Sequence, residues 1–286
     1  MKAWNAADPP DLPPLTAAER LRLVARGAVA LAIILTFFAA FLLLRGLDWI
    51  VERIVGRPAT RLGPGVVQAW AAATLPVIGL RYVARGAPMR GPGAFVANHS
   101  SWLDIVALQR AAAPFLVSKS EVRSWPGIGL IGRAIGTMFI DRRPAAAKRQ
   151  EAELLSRLGR GDRMALFPEG TSTDGRRILP FKSALFGVFF APSLAGAVAV
   201  QPVTISYCAP RGMPPNFYSW WGEMDFATHL LDVLARSTGG AVELTFHEPV
   251  TVAGAGSRKT LAGVAENAVR SAFRADLPPE TGAAPS

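Results

Sequence analysis

Short apolar runs alternate with longer amphipathic stretches between residues 91 and 275. The runs have the length and the β-branched or aromatic content of buried strands. They are AFVA (94–97), PFLVSK (114–119), TMFID (137–141), MALFP (164–168), AVAVQPVTISY (197–207) and VELTF (242–246). Helical periodicity is found at 102–110, 145–158, 182–194, 229–235 and 259–275. This alternation predicts an α/β fold with a mixed, mostly parallel sheet that helices flank on both faces.

One apolar run, at residues 27–44, is too long for a strand. It reads GAVALAIILTFFAAFLLL, with Thr36 as its one polar side chain. As a helix it would span about 27 Å, close to the thickness of a bilayer core. A second apolar stretch, 66–80, contains Pro76. Together they predict a membrane-anchoring helical segment, either a hairpin in one leaflet or a single span with an interfacial segment. Basic residues flank the first run evenly, which favours the hairpin.

These patterns divide the chain into four parts. Residues 1–26 are a Pro-rich N-terminal tail, and residues 27–80 form the membrane-anchoring segment. Residues 81–275 form the α/β domain. Residues 276–286 are polar and Pro-rich, and we expect them to be disordered.

The net charge of +10 narrows the possible partners. Its basic residues are dispersed, and neither a zinc-finger spacing nor an RNP1-like motif occurs, so we predict no nucleic-acid partner. An anionic membrane surface or phosphorylated small molecules fit better. The single cysteine, Cys208, allows no disulfide within the chain and is predicted to be a small buried side chain.

Several motifs carry no chemistry in this interpretation. GIGLIG (127–132) lacks the preceding strand of a dinucleotide site and is predicted to be a close-packed or membrane-proximal helix whose glycines allow a tight approach. The sequence has no G-x-S-x-G elbow, no P-loop and no paired metal ligands, so we expect no metal. His229 and His247 are predicted to be structural. The pair Trp220–Trp221 is predicted to lie at the membrane interface.

The stretch AFVANHSSWLDI (94–105) places a histidine where a predicted strand ends. Ser100 or Ser101 would cap the following helix, with Asp104 in its first turn. From there the carboxylate can reach the imidazole of His99 and fix one ring nitrogen as a donor, which leaves the other free to accept a proton. His99 and Asp104 are therefore a candidate base and orienting group, and the substrate's own hydroxyl would be the nucleophile. A capping Asp beside a structural His is the alternative.

Two further strand ends carry polar groups. MALFPEGTSTDG (164–175) supplies the carboxylate of Glu169, a turn at Gly170 and the hydroxyl of Thr171, a loop suited to a polyol or a phosphate. GTMFIDRR ends in Arg142 and Arg143, whose guanidinium groups suit a phosphate. A solvated arginine pair is the alternative.

The order NHSSWLD, FIDRR, FPEGTS and VAVQPVTISY resembles the glycerolipid acyltransferases of the PlsC type over roughly residues 60–255. The resemblance implies that His99 is the general base, that Asp104 orients it and that Lys119 supports the thioester oxyanion. The implied substrate-binding residues are Asn98, Arg142, Arg143, Glu169, Gly170, Thr171 and, near the acyl donor, Pro202. One departure is Ser172, which stands where the family commonly has Arg.

The resemblance implies a membrane O-acyltransferase that needs no cofactor. It would transfer a fatty acyl group from acyl-CoA or acyl carrier protein to the hydroxyl of a lysolipid. We expect the catalytic domain on the cytoplasmic face of a membrane, the inner membrane if the protein is bacterial, with membrane lipid as a partner. A non-catalytic lipid-binding protein and a soluble hydrolase are the rival interpretations.

Ser172 leaves two acceptors open. Lysophosphatidate (1-acylglycerol-3-phosphate, giving phosphatidate) would need Arg142, Arg143, Arg176 or Arg177 to replace the missing Arg. Lyso-ornithine lipid has no phosphate, so it needs no such contact. The sequence favours lysophosphatidate, because these four arginines flank the two candidate acceptor loops.

Overall fold

An eight-stranded mixed sheet forms the centre of the computed structural model, which describes residues 4–55, 63–141, 143–194 and 196–275. The strands are β1 (Leu80–Arg85), β2 (Gly93–Ala97), β3 (Phe115–Lys119), β4 (Met138–Ile140), β5 (Arg163–Leu166), β6 (Ala199–Cys208), β7 (Gly240–Phe246) and β8 (Val250–Thr251). Their order is β1-β7-β6-β2-β5-β3-β4, and β8 pairs with β6. Strands β2 to β6 are parallel, while β7 and β8 run antiparallel to β6. The predicted mixed, mostly parallel sheet is confirmed.

Helices cover both faces of this sheet. They are α1 (Ala17–Val55), α2 (Gly63–Val77), α3 (Leu103–Ala112), α4 (Ile128–Ala134), α5 (Ala147–Gly159), α6 (Phe226–Arg236), α7 (Val252–Ala255) and α8 (Arg258–Ala272). All five residues of β2 are buried, and their side chains alternate between the faces. Phe95 and Ala97 join a core beneath α2, α3 and α6, whereas Ala94 and Val96 join a second core beneath α5 and α8. The sheet therefore has a hydrophobic core on each side, as a central parallel strand requires.

Three local predictions need correction. Residues 182–194 form two 3₁₀ segments, Ser183–Phe190 and Pro192–Leu194, instead of an α-helix. Gly187, Pro192 and the aromatic residues of this stretch are weak helix formers. Strands β1 and β8 were not predicted, and Leu80, which we assigned to the anchoring segment, begins β1. The GIGLIG prediction is confirmed, because a Cβ on Gly129 would lie 2.1 Å from the carbonyl oxygen of Arg123.

Helix α1 is longer than the apolar run that predicted it. Its 39 residues span about 58 Å, and among the described residues it alone is long and apolar enough to cross a membrane, judged by length and composition. Only 6% of its most apolar 18-residue window is buried within the protein. Helix α2 packs against α1 but also buries Ala71 and Leu75 in the core. The choice between hairpin and single span stays a prediction, and α2 belongs in part to the domain.

The N-terminal end of α1 is tied to the α/β domain. Thr16 and Glu19 form a capping box at the start of the helix. Arg22 donates to the carbonyl oxygen of Ala235 at 2.8 Å, and Arg26 donates to that of Ser237 at 2.6 Å. These arginines satisfy carbonyl groups at the C-terminal end of α6. The Pro-rich tail that precedes α1 also contacts the domain, because the indole N–H of Trp221 donates to the carbonyl oxygen of Ala7. The C-terminal tail predicted at 276–286 lies outside the described residues.

Candidate active site

The carboxyl ends of five parallel strands meet at one edge of the sheet, which is where ligands bind in open α/β sheets. His99 follows β2 by two residues, and Glu169 follows the neighbouring strand β5 by three. Lys119 ends β3, on the far side of β5 from β2. The topology thus brings three separate sequence motifs to a single edge.

His99 and Asp104 are in direct contact. The distance from Nδ1 of His99 to Oδ2 of Asp104 is 2.8 Å. The same carboxylate oxygen accepts the N–H groups of Ser100 and Ser101 at 2.8 and 2.9 Å, and the Asp104 side chain is fully buried. The helix cap is Trp102 rather than the predicted serines, although Ser101 Oγ accepts the N–H of Leu103. These donors hold the Asp104 carboxylate in one position beside the imidazole ring.

The geometry leaves one nitrogen of His99 available for chemistry. With Nδ1 donating to Asp104, Nε2 is the acceptor, and nothing in the described part of the chain hydrogen-bonds to it. The side chain is 19% exposed, so a substrate can reach it. This arrangement can remove a proton from a bound hydroxyl group.

Sequence reasoning missed two residues at this site. The hydroxyl of Tyr207 donates to Oδ1 of Asp104 at 2.7 Å, and burial raises the pKa of Tyr207 well above its usual value, which keeps the donor proton in place. The ring of Phe167 stacks on His99, with 4.2 Å between centroids and 22° between planes. Tyr207 lies near the end of β6, beside β2. A polar residue near the end of a buried apolar run was the available signal.

Glu169 holds the backbone of the loop that carries His99. Its two carboxylate oxygens accept the N–H groups of His99 and Leu179, both at 2.7 Å. The residue is 1% exposed, and burial raises the pKa of Glu169 to about 8, although these two donors oppose the shift. Lys182 donates its ammonium group to the carbonyl oxygen of Glu169. The carboxylate is thus engaged within the chain, and its predicted contact with substrate stays a prediction.

The rest of this loop closes over the His99 loop. Gly170 adopts φ 72°, a left-handed conformation that favours glycine. The N–H of Thr173 donates to the carbonyl oxygen of His99 at 3.0 Å. Thr171 is buried, and its hydroxyl oxygen accepts the N–H of Trp4 at 3.3 Å. The two loops therefore form one unit, to which the N-terminal segment is attached.

Asn98 and Pro202 both lie within the β2–β6 region of the sheet. The side-chain amide of Asn98 exchanges two 2.8 Å hydrogen bonds with the backbone of Ile205, and the residue is buried. Asn98 therefore positions the peptide that leads to His99. Pro202 lies inside β6, opposite Val96, where β6 has passed β8 and not yet reached β7, so its missing N–H interrupts no ladder there. Substrate contacts for both residues stay predictions.

Two of the arginines predicted to bind a phosphate are paired with carboxylates instead, and a third lies outside the described residues. Arg142 is outside the described residues. Arg143 donates to Asp141 at 2.6 Å, and Arg177 donates to Asp174 at 3.0 Å. These geometries are local ion pairs between neighbours in sequence.

The predictions for the remaining tryptophan, cysteine and histidine side chains have mixed outcomes. Trp221 is buried rather than interfacial, so the membrane-interface prediction is wrong for that residue. Cys208 is buried, as predicted. His229 accepts the indole N–H of Trp102 at 2.9 Å, and His247 bonds Thr204 at 2.8 Å, which are structural contacts. The described residues include no cluster of side chains suited to a metal ion.

Comparison with known proteins adds the family. Residues 75–206 match the family model described as Acyltransferase. A lyso-ornithine lipid O-acyltransferase of Rhodobacter capsulatus is 44% identical over 94% of this chain and 96% of its own length. A 1-acyl-sn-glycerol-3-phosphate acyltransferase of Neisseria meningitidis is 38% identical over 50% of this chain and 54% of its own. The crystal structure of the LPA acyltransferase PlsC from Thermotoga maritima covers 89% of this chain and 95% of its own at 22% identity, with a TM-score of 0.63.

Proposed function

The chain belongs to the acyltransferase family that acts on lysolipids, and on that premise we propose that it is a membrane-bound lyso-ornithine lipid O-acyltransferase. This acceptor replaces the lysophosphatidate that the sequence alone favoured. The support is the extent of the similarity. The Rhodobacter enzyme matches 94% of this chain, whereas the Neisseria enzyme matches 50% of it.

The arrangement of charges supports the same acceptor. Ser172 replaces the arginine common at this position, and it offers a buried hydroxyl instead of a cation. Arg143 and Arg177 are paired with Asp141 and Asp174. A phosphate would have to compete with these carboxylates. An ornithine headgroup carries a carboxylate and an amine in place of the phosphate, so it does not require a dedicated arginine.

The observation that carries the catalytic proposal is the His99–Asp104 pair. Nε2 of His99 takes the proton of the lysolipid hydroxyl as the oxygen attacks the thioester carbonyl. Asp104 stabilises the imidazolium that forms. Collapse of the tetrahedral intermediate releases the thiol, which receives the proton from His99. No acyl-enzyme, metal or cofactor takes part in this scheme, and Lys119 at the same sheet edge is its candidate oxyanion donor.

Holding the two amphiphiles in register would supply much of the remaining rate acceleration. The exposed apolar surface of α1 suits a membrane location, where both substrates reside or dock. The donor, acyl-CoA or acyl carrier protein, is left open. A non-catalytic lipid-binding protein would have no use for a buried carboxylate that orients a histidine towards open space.

The test is acyl transfer by membranes that contain the full chain. Lysophosphatidate and lyso-ornithine lipid are offered separately, each with labelled acyl-CoA and with labelled acyl carrier protein. We expect kcat/KM for lyso-ornithine lipid to exceed that for lysophosphatidate at least tenfold, about 1.4 kcal/mol. His99→Ala should abolish this transfer, while His247→Ala serves as the matched histidine control. Transfer to lysophosphatidate alone would overturn the proposed acceptor.

A further inference from the structure

The N-terminal segment, residues 4–14, runs along the catalytic edge of the domain. The indole N–H of Trp221 donates to the carbonyl oxygen of Ala7 at 3.1 Å, and the Arg236 guanidinium donates to that of Pro13. Leu12 packs against the hydrophobic core. Gly222, at φ 61°, allows a close approach, because a Cβ there would lie 2.4 Å from the side-chain oxygen of Asn5. These contacts fix the segment along its length.

The segment reaches the acceptor loop through Trp4. The backbone N–H of Trp4 donates to the hydroxyl oxygen of Thr171 at 3.3 Å. Two residues further on, Thr173 donates to the carbonyl oxygen of His99. The Trp4 ring also lies 6.4 Å from that of Trp221, centroid to centroid. Trp4 is therefore part of the wall next to the catalytic loop.

The Trp4 ring covers one face of a candidate phosphate ligand. The guanidinium carbon of Arg177 lies 5.1 Å from the centroid of the Trp4 ring, a cation–π contact. Asp174 engages the edge of the same guanidinium at 3.0 and 3.2 Å. Arg177 is still half exposed, so these two neighbours decide how much of its charge an acceptor can reach.

From this geometry we infer that Trp4 determines acceptor specificity by keeping Arg177 from binding a phosphate headgroup. The inference deepens the proposed function and rests on it. Trp4 and Asp174 hold the guanidinium against the protein, so an acceptor with a phosphate gains little from it. An acceptor without a phosphate loses nothing by this arrangement. Trp4 is a positioning residue, because it acts through Arg177.

The experiment measures kcat/KM for both acceptors in Trp4→Ala, which retains the backbone bond to Thr171. We expect kcat/KM for lysophosphatidate to rise about fivefold, the equivalent of about 1 kcal/mol. The ratio of lyso-ornithine lipid to lysophosphatidate transfer should fall accordingly. Trp4→Phe keeps an aromatic face and should restore most of the discrimination. Asp8→Ala, an exposed substitution in the same segment, should leave both values unchanged.

A gain of activity separates this role from a structural one, since general damage to the site lowers transfer to both acceptors. The double variant Trp4→Ala/Arg177→Gln should lose the gain. Equal loss on both acceptors in Trp4→Ala, or a gain that survives without Arg177, would overturn the inference. The preference of the wild-type enzyme tests the proposed acceptor separately, because the Trp4 effect is a change between variant and wild type and not the wild-type preference itself.

Discussion

Two buried acidic side chains contact the same histidine at different atoms. Asp104 contacts the imidazole ring at Nδ1, whereas Glu169 contacts the backbone N–H of the same residue. Asp104 lies five residues from His99 and Glu169 lies 70 away. Both accept backbone N–H groups as well, so their hydrogen-bond inventories look alike. The difference is the atom of His99 that each one controls.

The motifs that contain Asp104 and Glu169 look similar in sequence, but this difference predicts separate roles for them. Asp104 sets which nitrogen of the ring carries the proton, so its removal should affect the chemical step. Glu169 sets where the His99 backbone lies and joins it to Leu179, so its removal should affect stability first. A carboxylate after a strand end is therefore not by itself a substrate ligand or a catalytic group.

The largest effect expected is that of His99→Ala. General-base removal should lower kcat by about 10²–10⁴-fold, because nothing else in the described site accepts the hydroxyl proton. The thermal midpoint should change little, since the ring is partly exposed. Steady-state kinetics together with a thermal melt measure both. A variant that kept more than about a tenth of the rate would show that His99 is not the base.

Asp104→Asn should come close to this loss, with kcat/KM lowered about 10²-fold or more. The amide favours the wrong tautomer of His99 and cannot stabilise the imidazolium. Asp225→Asn is the matched control, because Asp225 caps α6 through the N–H of Thr228 and asparagine caps equally well. If Asp104→Asn lowered stability but not the rate, Asp104 would have the same structural role as Glu169 and the proposed difference between them would be wrong.

Glu169→Gln should show the opposite balance. Its amide leaves one of the two N–H donors without an acceptor, which should lower the free energy of unfolding by about 1–3 kcal/mol at about pH 5, near the acid end of the range where the contribution of Glu169 to stability is largest. The rate should fall less than in Asp104→Asn. Glu266→Gln is the matched control, since Glu266 also accepts a backbone N–H, that of Phe181.

The pH dependence sharpens the prediction for Glu169. Its pKa is raised from 4.5 to about 8 by burial, so the unfolded chain loses this proton at a lower pH than the folded chain. The contribution of Glu169 to stability is complete below about pH 4.5 and is lost as pH rises towards 8. Melts of wild type and Glu169→Gln over pH 5–8 measure this trend. A gap between their midpoints that widened with pH would contradict the raised pKa.

Tyr207→Phe should have the smallest effect. It removes one donor from Asp104 while the N–H groups of Ser100 and Ser101 remain. A hydrogen bond to a charged group contributes about 1.5–3 kcal/mol, and part of that should appear in kcat/KM as a loss of about tenfold. Tyr218→Phe removes an equally buried hydroxyl that bonds Ser237 instead, and it should leave the rate unchanged.

The sequence predicted what local patterns encode. The strand-to-helix spacing from His99 to Asp104 is five residues, so geometry within one loop and one helical turn was sufficient. Alternation of apolar runs likewise predicted six of the strands and the layered fold. The carboxylate of Glu169 was also found, although as a substrate contact rather than as a link to the His99 backbone.

Long-range partners were out of reach of this reasoning. Tyr207 meets Asp104 across 103 residues and Trp4 meets Thr171 across 167, and no local period links such positions. Strand β1 was missed because it begins where an apolar helix ends and pairs with β7, about 160 residues later. The ion pairs of Arg143 with Asp141 and of Arg177 with Asp174 are local, but a sequence pattern alone does not decide whether an arginine binds a neighbouring carboxylate or a phosphate.

The continuous α1 helix has a geometric consequence for the proposed membrane-bound state. Its first turns are fastened to α6 by Arg22 and Arg26, and the same helix continues into its exposed apolar length without a break. The apolar length of α1 and the catalytic edge of the domain therefore keep a fixed angle about the helix axis. A single residue inserted between the fastened turns and the apolar length would rotate one relative to the other by about 100°. In the proposed membrane-bound state, the number of residues along α1 thus sets the depth and the orientation of His99 relative to the bilayer.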